Sequence, residues 1–152
     1  MTVTDKDARI TASGTTAVPA APTAPVSKGR LWTGRILGGL TVLFLLLDAV
    51  GKLMRPEPVI EATVQLGYPE STIPGIGLVL LGCTVLYAIP RTAVLGAILL
   101  TGYLGGAVAT NVRVGNPLFS HVLFPVYVGV LLWLGLVLCD ERLRRALLRS
   151  DA

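Results

Sequence analysis

Four apolar stretches of this sequence carry no charge over most of their length. They lie between residues 35 and 48, 70 and 91, 91 and 113, and 113 and 140. A bilayer core needs about 20 predominantly apolar residues for each helix that crosses it. Only 14% of the 152 residues are charged, against about 25% in soluble domains. The sequence therefore predicts an all-α integral membrane four-helix bundle, with spans at about 32–52, 72–89, 92–111 and 118–139.

The N-terminal segment differs in composition from the rest of the chain. Residues 1–29 are rich in Thr, Ala, Pro and Ser and have no hydrophobic period, so they cannot bury a core. We expect a disordered tail there, followed by one membrane domain over residues 30–148.

Basic residues predict the orientation of the bundle. One side of the predicted bundle has four C-terminal arginines together with Lys28, Arg30, Arg35 and Arg91, and the other has Lys52, Arg55 and Arg113. Cytoplasmic segments are enriched in Lys and Arg. Both termini are thus expected in the cytoplasm, and topology explains the net charge of +4 without a nucleic-acid partner.

The third span carries stripes of small residues at helical spacing. Such residues let membrane helices approach closely, which predicts packing against neighbouring helices, further subunits or a second copy of the chain. The residues expected to do so are Ala97, Thr101, Gly102, Gly105, Gly106 and Ala109. Thr101 and Tyr103 are interpreted as interhelical hydrogen-bonding residues.

The connection between the first two spans has two interpretations. Pro58, the segment VIEATVQL and Gly67 suit a short amphipathic helix that begins at a proline and stops at a glycine. An irregular loop fits so short a pattern equally well.

Polar residues collect at the outer ends of the spans. Asp48 and Lys52 end the first span, Asn111 and Arg113 end the third, and His121 begins the fourth. Polar side chains in membrane segments usually face the bundle interior or a wet cavity. These five residues are therefore a candidate polar cluster or ligand site.

Structural roles for the same residues remain open. Asp48 can lock the bundle by pairing with Lys52 or Arg113, and Lys52 can simply extend to the interface. His121 can be a hydrogen-bonded packing residue beside the backbone that Pro125 loosens.

No catalytic or metal-binding template is filled. The chain has one histidine and two cysteines, Cys83 and Cys139, without C-x-x-C spacing. These absences exclude a bis-histidine haem and favour a protein that is not an enzyme.

Several motifs resemble the DoxX-like family of small four-helix membrane proteins of the bacterial inner membrane. They are Asp48-Ala-Val-Gly51-Lys52-Leu53, Leu66-Gly67-Tyr68-Pro69, and the run from Ile89-Pro90-Arg91-Thr92 through Thr101-Gly102-Tyr103 to Asn111-Val112-Arg113-Val114-Gly115. The resemblance covers roughly residues 31–145.

The family's name comes from relatives of a membrane subunit of a thiosulfate:quinone oxidoreductase, which implies an accessory or quinone-facing subunit rather than a complete enzyme. Members often have an acid in the second span where this chain has Gly77-Leu-Val-Leu-Leu-Gly82. They often have histidine at the position of Asn111. Both departures argue against carrying over proton-coupled or redox chemistry.

Two functional hypotheses follow. The first is a non-catalytic accessory or assembly subunit of a membrane complex, without a cofactor. The second is a component that binds quinone or another small lipophile, or transports it, through the polar cluster.

Overall fold

The computed structural model describes residues 28–141, 143 and 144. Within them the chain is helical and has no strand. The expected disorder of residues 1–29 falls outside the described residues, except that Lys28 and Gly29 already belong to the first helix. The helices are α1 (Lys28–Met54), α2 (Glu57–Gln65), α3 (Ile73–Ala88), α4 (Ala93–Arg113) and α5 (Phe124–Cys139).

Four helical segments are long and apolar enough to cross a membrane. They are Lys28–Met54, Glu70–Ala88, Ala93–Arg113 and Leu118–Cys139. The second includes a 3-10 turn, Glu70–Thr72, before α3, and the fourth includes a π-helical turn, Leu118–Val122, before α5. The predicted all-α, multi-pass membrane bundle is confirmed.

The four long helices form a closed ring. Helix α1 packs against α3 and α5, and α4 packs against the same two helices from the opposite corner. Aliphatic side chains fill the centre, and the Tyr87 hydroxyl donates a hydrogen bond of 2.8 Å to the carbonyl of Leu132, tying α3 to α5. The fully buried hydrophobic residues are Leu45, Ala49, Ile73, Leu80, Ala97, Leu100 and Leu132.

Glycine brings α3 and α4 into backbone contact near the turn at Pro90. A Cβ atom on Gly96 would lie 2.2 Å from the Tyr87 nitrogen, which no side chain tolerates. Toward the other end, no atom of another element lies within 4 Å of a Cβ placed on Gly75, Gly102 or Gly106. The two helices are therefore pinned at the Pro90 turn and spread apart toward the end where α2 lies.

Helices α1 and α5 also meet through glycine at the same end of the bundle. A Cβ on Gly135 would lie 2.9 Å from the Gly38 nitrogen, and one on Gly34 would lie 2.8 Å from the Cys139 Sγ atom. Close backbone approach of this kind is typical of membrane helices, where van der Waals packing drives association.

Pro125 changes the start of the last span in a specific way. The amides of Val122 and Leu123 bond the carbonyls five residues earlier, at 3.3 and 2.9 Å, and α5 begins at Phe124 with Pro125 in its first turn. A proline has no N–H to donate, so a π-helical turn followed by a new helix replaces one continuous span. The loosening of the backbone that Pro125 predicts takes this form.

The connection between α1 and α3 contains a helix, α2, so the helical alternative for this segment is the one observed. Pro58 lies in its first turn, and Gly67 follows its end with a φ of +82°, which glycine adopts without strain. Arg55, before α2, has a φ of +53°, a region that side-chain-bearing residues seldom occupy.

The Gly96 contact generates a stability prediction. We expect Gly96→Ala to lower the free energy of unfolding by about 2 kcal/mol or more, because the new methyl group must push α3 away from α4. Gly105→Ala on the same helix has open space around its Cβ and should leave stability unchanged or raise it slightly. Unfolding in mixed micelles of mild and denaturing detergent measures both; equal stability of the two variants would contradict the contact.

Candidate functional site

The splayed end of the bundle encloses an open cavity of about 730 Å³. All four long helices contribute to it, and residues in and after α2 cover part of it. Its surface is mostly apolar, with a few polar side chains at the end nearest α2. The principal lining residues are Phe44, Asp48, Lys52, Leu66, Tyr68, Ile76, Gly102, Tyr103, Leu104, Gly106, Thr110, Asn111, Phe124, Pro125 and Val128.

Asp48 and Lys52 supply the charges of the cavity wall. The Lys52 ammonium donates a hydrogen bond to the Asp48 carboxylate one turn earlier on α1. The lysine side chain is 18% exposed and the aspartate side chain 37% exposed. The pair lies within one helix, so it neutralises the acid at this depth without tying α1 to a neighbour. Of the two partners that the sequence allows for Asp48, the structure contains Lys52.

The close packing of Gly77 accounts for the position of Lys52. A Cβ on Gly77 would lie 3.0 Å from the Lys52 Cβ and 3.3 Å from the carbonyl oxygen of Ala49. Helix α3 therefore lies directly on the stem of the lysine. The ammonium group is left to turn toward Asp48 and the cavity.

Tyr103 is a polar side chain of the cavity wall whose hydroxyl is not used in packing the bundle. Its side chain is half-buried on the cavity wall, and its hydroxyl has no hydrogen-bond partner within residues 28–141, 143 and 144. Sequence reasoning assigned it an interhelical hydrogen bond, which the described residues do not contain. Thr101 does make one, because its hydroxyl accepts 2.9 Å from the Trp133 indole N–H.

Other polar groups of the wall are engaged in local contacts. The Asn111 amide donates to the Ala107 carbonyl at 2.9 Å, and its oxygen accepts from the Asn116 amide at 2.7 Å. The hydroxyls of Tyr68 and Thr110 lie 2.9 Å apart. Asn111 therefore lines the cavity with both ends of its amide occupied, which leaves Tyr103 and the Asp48–Lys52 pair as the groups freest to meet a ligand.

Arg113 holds the cover of the cavity and does not line it. Its guanidinium donates a hydrogen bond of 2.7 Å to the Leu66 carbonyl after α2. At the other end of α2, the guanidinium of Arg55 pairs with the carboxylate of Glu70. The Arg113–Leu66 and Tyr68–Thr110 contacts join the segment after α2 to α4, and the Arg55–Glu70 pair joins the two segments that flank α2.

His121 lies apart from the other candidate residues. It is exposed in the π-helical turn, and its Nδ1 atom lies 2.7 Å from the Ser120 hydroxyl. It is not among the residues that line the cavity. The structure thus brings Asp48, Lys52 and Asn111 to one cavity, puts Arg113 at its cover, and leaves His121 outside.

The small residues of α4 divide between two environments. Ala97 is fully buried. Gly102 and Gly106 face the cavity, while Thr101 and Gly105 line a second, apolar groove of about 530 Å³ between α4 and α5. No atom of another element lies within 4 Å of a Cβ placed on any of the three glycines, and Ala109 is exposed. Within the chain, these glycines open space rather than pack.

Titratable groups do not assemble into a metal centre in the described part of the chain. No group of three His, Cys, Asp or Glu side chains there could hold a metal ion. What the cavity wall provides is one ion pair, one free phenol and a large apolar surface, a combination suited to binding.

The Asp48–Lys52 pair predicts that substitutions of its two residues have non-additive effects on the free energy of unfolding. Lys52→Met keeps the stem that packs on Gly77 but leaves Asp48 without a countercharge. We expect it to cost about 1–2 kcal/mol, less than the 3–5 kcal/mol of a fully buried pair because the carboxylate is partly exposed. The double variant Asp48→Asn/Lys52→Met should recover most of that loss. Unfolding in detergent is measured for the wild type, Lys52→Met, Asp48→Asn and the double variant, which together form a double-mutant cycle. Additive changes in the free energy of unfolding would contradict the pairing.

The comparisons with known proteins agree with the resemblance seen in the sequence. A family model described as the DoxX-like family matches residues 36–135. No curated protein matches, and no solved structure matches. The matched region includes every one of the cavity-lining residues from Phe44 to Val128.

Proposed function

Because this chain belongs to the DoxX-like family of membrane proteins, and its cavity lies wholly within the family's region, we propose that it is a non-catalytic ligand-holding protein of the membrane. It binds the polar head of a small lipophilic molecule at the splayed end of the bundle. The observation that carries the proposal is the free Tyr103 hydroxyl beside the Asp48–Lys52 pair in a cavity of about 730 Å³.

The size and surface of the cavity support a small-molecule ligand. Ligand sites typically measure about 300–1,000 Å³ and combine an apolar lining with a few placed polar groups. This cavity has that character, since Phe44, Ile76 and Phe124 contribute apolar surface and Tyr103 contributes a hydrogen-bond donor.

The polar groups favour a head that accepts hydrogen bonds. The Tyr103 O–H and the Lys52 ammonium are donors, and the ion pair keeps the wall close to neutral. A neutral head with a carbonyl oxygen, such as that of a quinone, fits these donors. A strongly charged head would disturb the balance of the Asp48–Lys52 pair.

The described cavity wall has no set of acid, base and nucleophile, which supports ligand binding rather than catalysis as the role of the cavity. Asn111 lies where the family resemblance leads one to expect histidine. Its side-chain amide is already hydrogen-bonded to the Ala107 carbonyl and to the Asn116 amide. A protein that holds a lipophile without transforming it suits an accessory role in a membrane complex. Isolation from membranes in mild detergent should then return further subunits with it; a lone monomer would contradict the accessory role.

Ligand binding has a direct test. A benzoquinone with a decyl tail serves as the probe, with binding to the protein in phosphatidylcholine nanodiscs measured by calorimetry. We expect Tyr103→Phe to weaken binding about five- to twentyfold, the loss of one hydrogen bond in an apolar site. Tyr127→Phe is the matched control, because Tyr127 is exposed and does not line the cavity.

The result that would overturn the proposal is equal affinity of the wild type and Tyr103→Phe, or no saturable binding by the wild type. Asp48→Asn gives a second reading. It should alter affinity while the circular dichroism stays that of a folded helical protein, although the detergent stability should fall because Lys52, whose side chain is 18% exposed, loses its countercharge.

Orientation is a separate proposal. The distribution of Lys and Arg supports a bacterial inner-membrane protein with both termini in the cytoplasm, and α2 with the cavity mouth would then lie on the outer side. A C-terminal green fluorescent protein fusion should fluoresce, and a C-terminal alkaline phosphatase fusion should be inactive. Active phosphatase would reverse the orientation.

A further inference from the structure

The hydrogen bond between the side chains of Tyr68 and Thr110 has a defined direction. A threonine hydroxyl carries a single hydrogen, and that of Thr110 donates to the Gly106 carbonyl at 2.9 Å, one turn earlier on α4. In the 2.9 Å contact between the two hydroxyls, the hydrogen therefore comes from Tyr68. Because the phenol hydrogen is taken by Thr110, the Tyr68 oxygen can meet a further group only as an acceptor.

This hydrogen bond lies on the wall of the cavity. Tyr68 and Thr110 both line it, and Tyr68 remains 36% exposed. Within residues 28–141, 143 and 144, no group donates a hydrogen bond to the Tyr68 oxygen. In a largely apolar cavity, a polar atom without a partner gains from a matching group on a ligand. The Tyr68 oxygen is therefore an acceptor that a ligand can use.

The backbone around Tyr68 fixes the position of this acceptor. Gly67, before it, has a φ of +82°, and Pro69, after it, has a φ of −63°. The Tyr68 N–H donates to the Thr63 carbonyl at 3.3 Å, and a residue before proline has little conformational freedom. A ligand that meets the Tyr68 oxygen therefore has little chain to order, which lowers the cost of binding.

Tyr103 offers the opposite kind of group on the same wall. Its hydroxyl has no partner in the described part of the chain, so it can donate as well as accept. Tyr103 and Thr110 are seven residues apart on α4, about two turns and roughly 10 Å along the helix axis. A six-membered ring with oxygens at opposite corners, hydrogen-bonded at each, covers about the same length. One ring can thus meet both tyrosines.

We propose that the head of the ligand carries a hydroxyl group that donates to Tyr68, and that Thr110 sets this specificity by taking the Tyr68 hydrogen. This inference rests on the proposed function and adds the class of ligand to it: a hydroquinone-type ring is preferred to the same ring with carbonyl oxygens alone. A carbonyl oxygen against Tyr68 would face a second oxygen with no hydrogen between them, whereas a hydroxyl supplies one. The other oxygen of the head still accepts from Tyr103.

Two probes that differ only in hydrogens test the specificity. They are decyl benzoquinone and decyl hydroquinone, which share every heavy atom of ring and tail. Calorimetry in phosphatidylcholine nanodiscs measures their affinities, in an oxygen-free cell so that the hydroquinone stays reduced. We expect the wild type to bind the hydroquinone about tenfold more tightly, the effect of one added hydrogen bond in an apolar site.

Thr110→Val is the informative variant, because it keeps the shape of the side chain and releases the Tyr68 hydrogen. It should strengthen benzoquinone binding several-fold and bring the two affinities within about twofold of each other. Tyr68→Phe should remove the preference in another way, by weakening hydroquinone binding without strengthening that of benzoquinone. Thr101→Val is the matched control. It also removes a hydroxyl that accepts a hydrogen bond of 2.9 Å, here from Trp133, but Thr101 does not line the cavity, so the preference should persist.

Three results would overturn the inference. They are equal affinities of the wild type for the two probes; a preference that persists in Thr110→Val; and a loss of affinity by the same factor for both probes in Thr110→Val and Tyr68→Phe. The third would reduce the hydrogen bond to a structural tie, since both variants break it. In each case decyl benzoquinone still binds the wild type. Failure of the wild type to bind either probe saturably would instead overturn the proposed function.

Discussion

The architecture depends on the backbone contact between Gly96 and Tyr87. Where α3 and α4 meet there, a side chain as small as a methyl group has no room. Two helices in such close contact at one end diverge toward the other, and only large side chains can fill the space between them there. The chain instead has Gly75, Gly102 and Gly106 at that end. The cavity follows from this distribution of glycine along two helices, tight near the Pro90 turn and open near α2.

The open end would be costly if its polar groups were unpaired in a membrane. Asp48 and Lys52 avoid this cost by pairing with each other within α1, and Gly77 lets α3 pack on the lysine stem. Helix α2, fastened through Arg113 and through the Arg55–Glu70 pair, then covers part of the opening. The free Tyr103 hydroxyl remains on the wall. An apolar groove between α4 and α5 adjoins the cavity at Leu104 and Pro125.

Local features of the sequence predicted the spans well. Charge-free length is sufficient for the four long apolar helices, whereas Pro58 and Gly67 left helix and loop equally open for the segment that forms α2. The role of each glycine was harder to predict, because spacing alone cannot distinguish a glycine that admits a neighbouring backbone from one that borders empty space. Gly96, outside the small-residue stripes singled out on α4, makes the tight contact. Gly102, Gly105 and Gly106, within those stripes, border the cavity and the groove.

The same limit applied to the polar residues. Depth along the helices grouped five polar residues, of which Asp48, Lys52 and Asn111 line one cavity. Side-chain direction separates His121 from them and turns Arg113 toward the Leu66 carbonyl. Tyr103 was a cavity residue that spacing could not identify, since a phenol on a membrane helix more often bonds a neighbouring helix. Its hydroxyl, which has no partner among the described residues, distinguishes it from Tyr68 on the same cavity wall.

The central claim is that the splayed end of the bundle holds a small lipophile. Native mass spectrometry of protein extracted from its own membranes in mild detergent tests it most directly, with Gly102→Leu as the comparison because that residue borders the cavity without touching its charges. The account predicts that the wild type retains a bound small molecule of one discrete mass and that Gly102→Leu loses it. A wild type without adducts, or the same adduct retained by Gly102→Leu, would contradict the account.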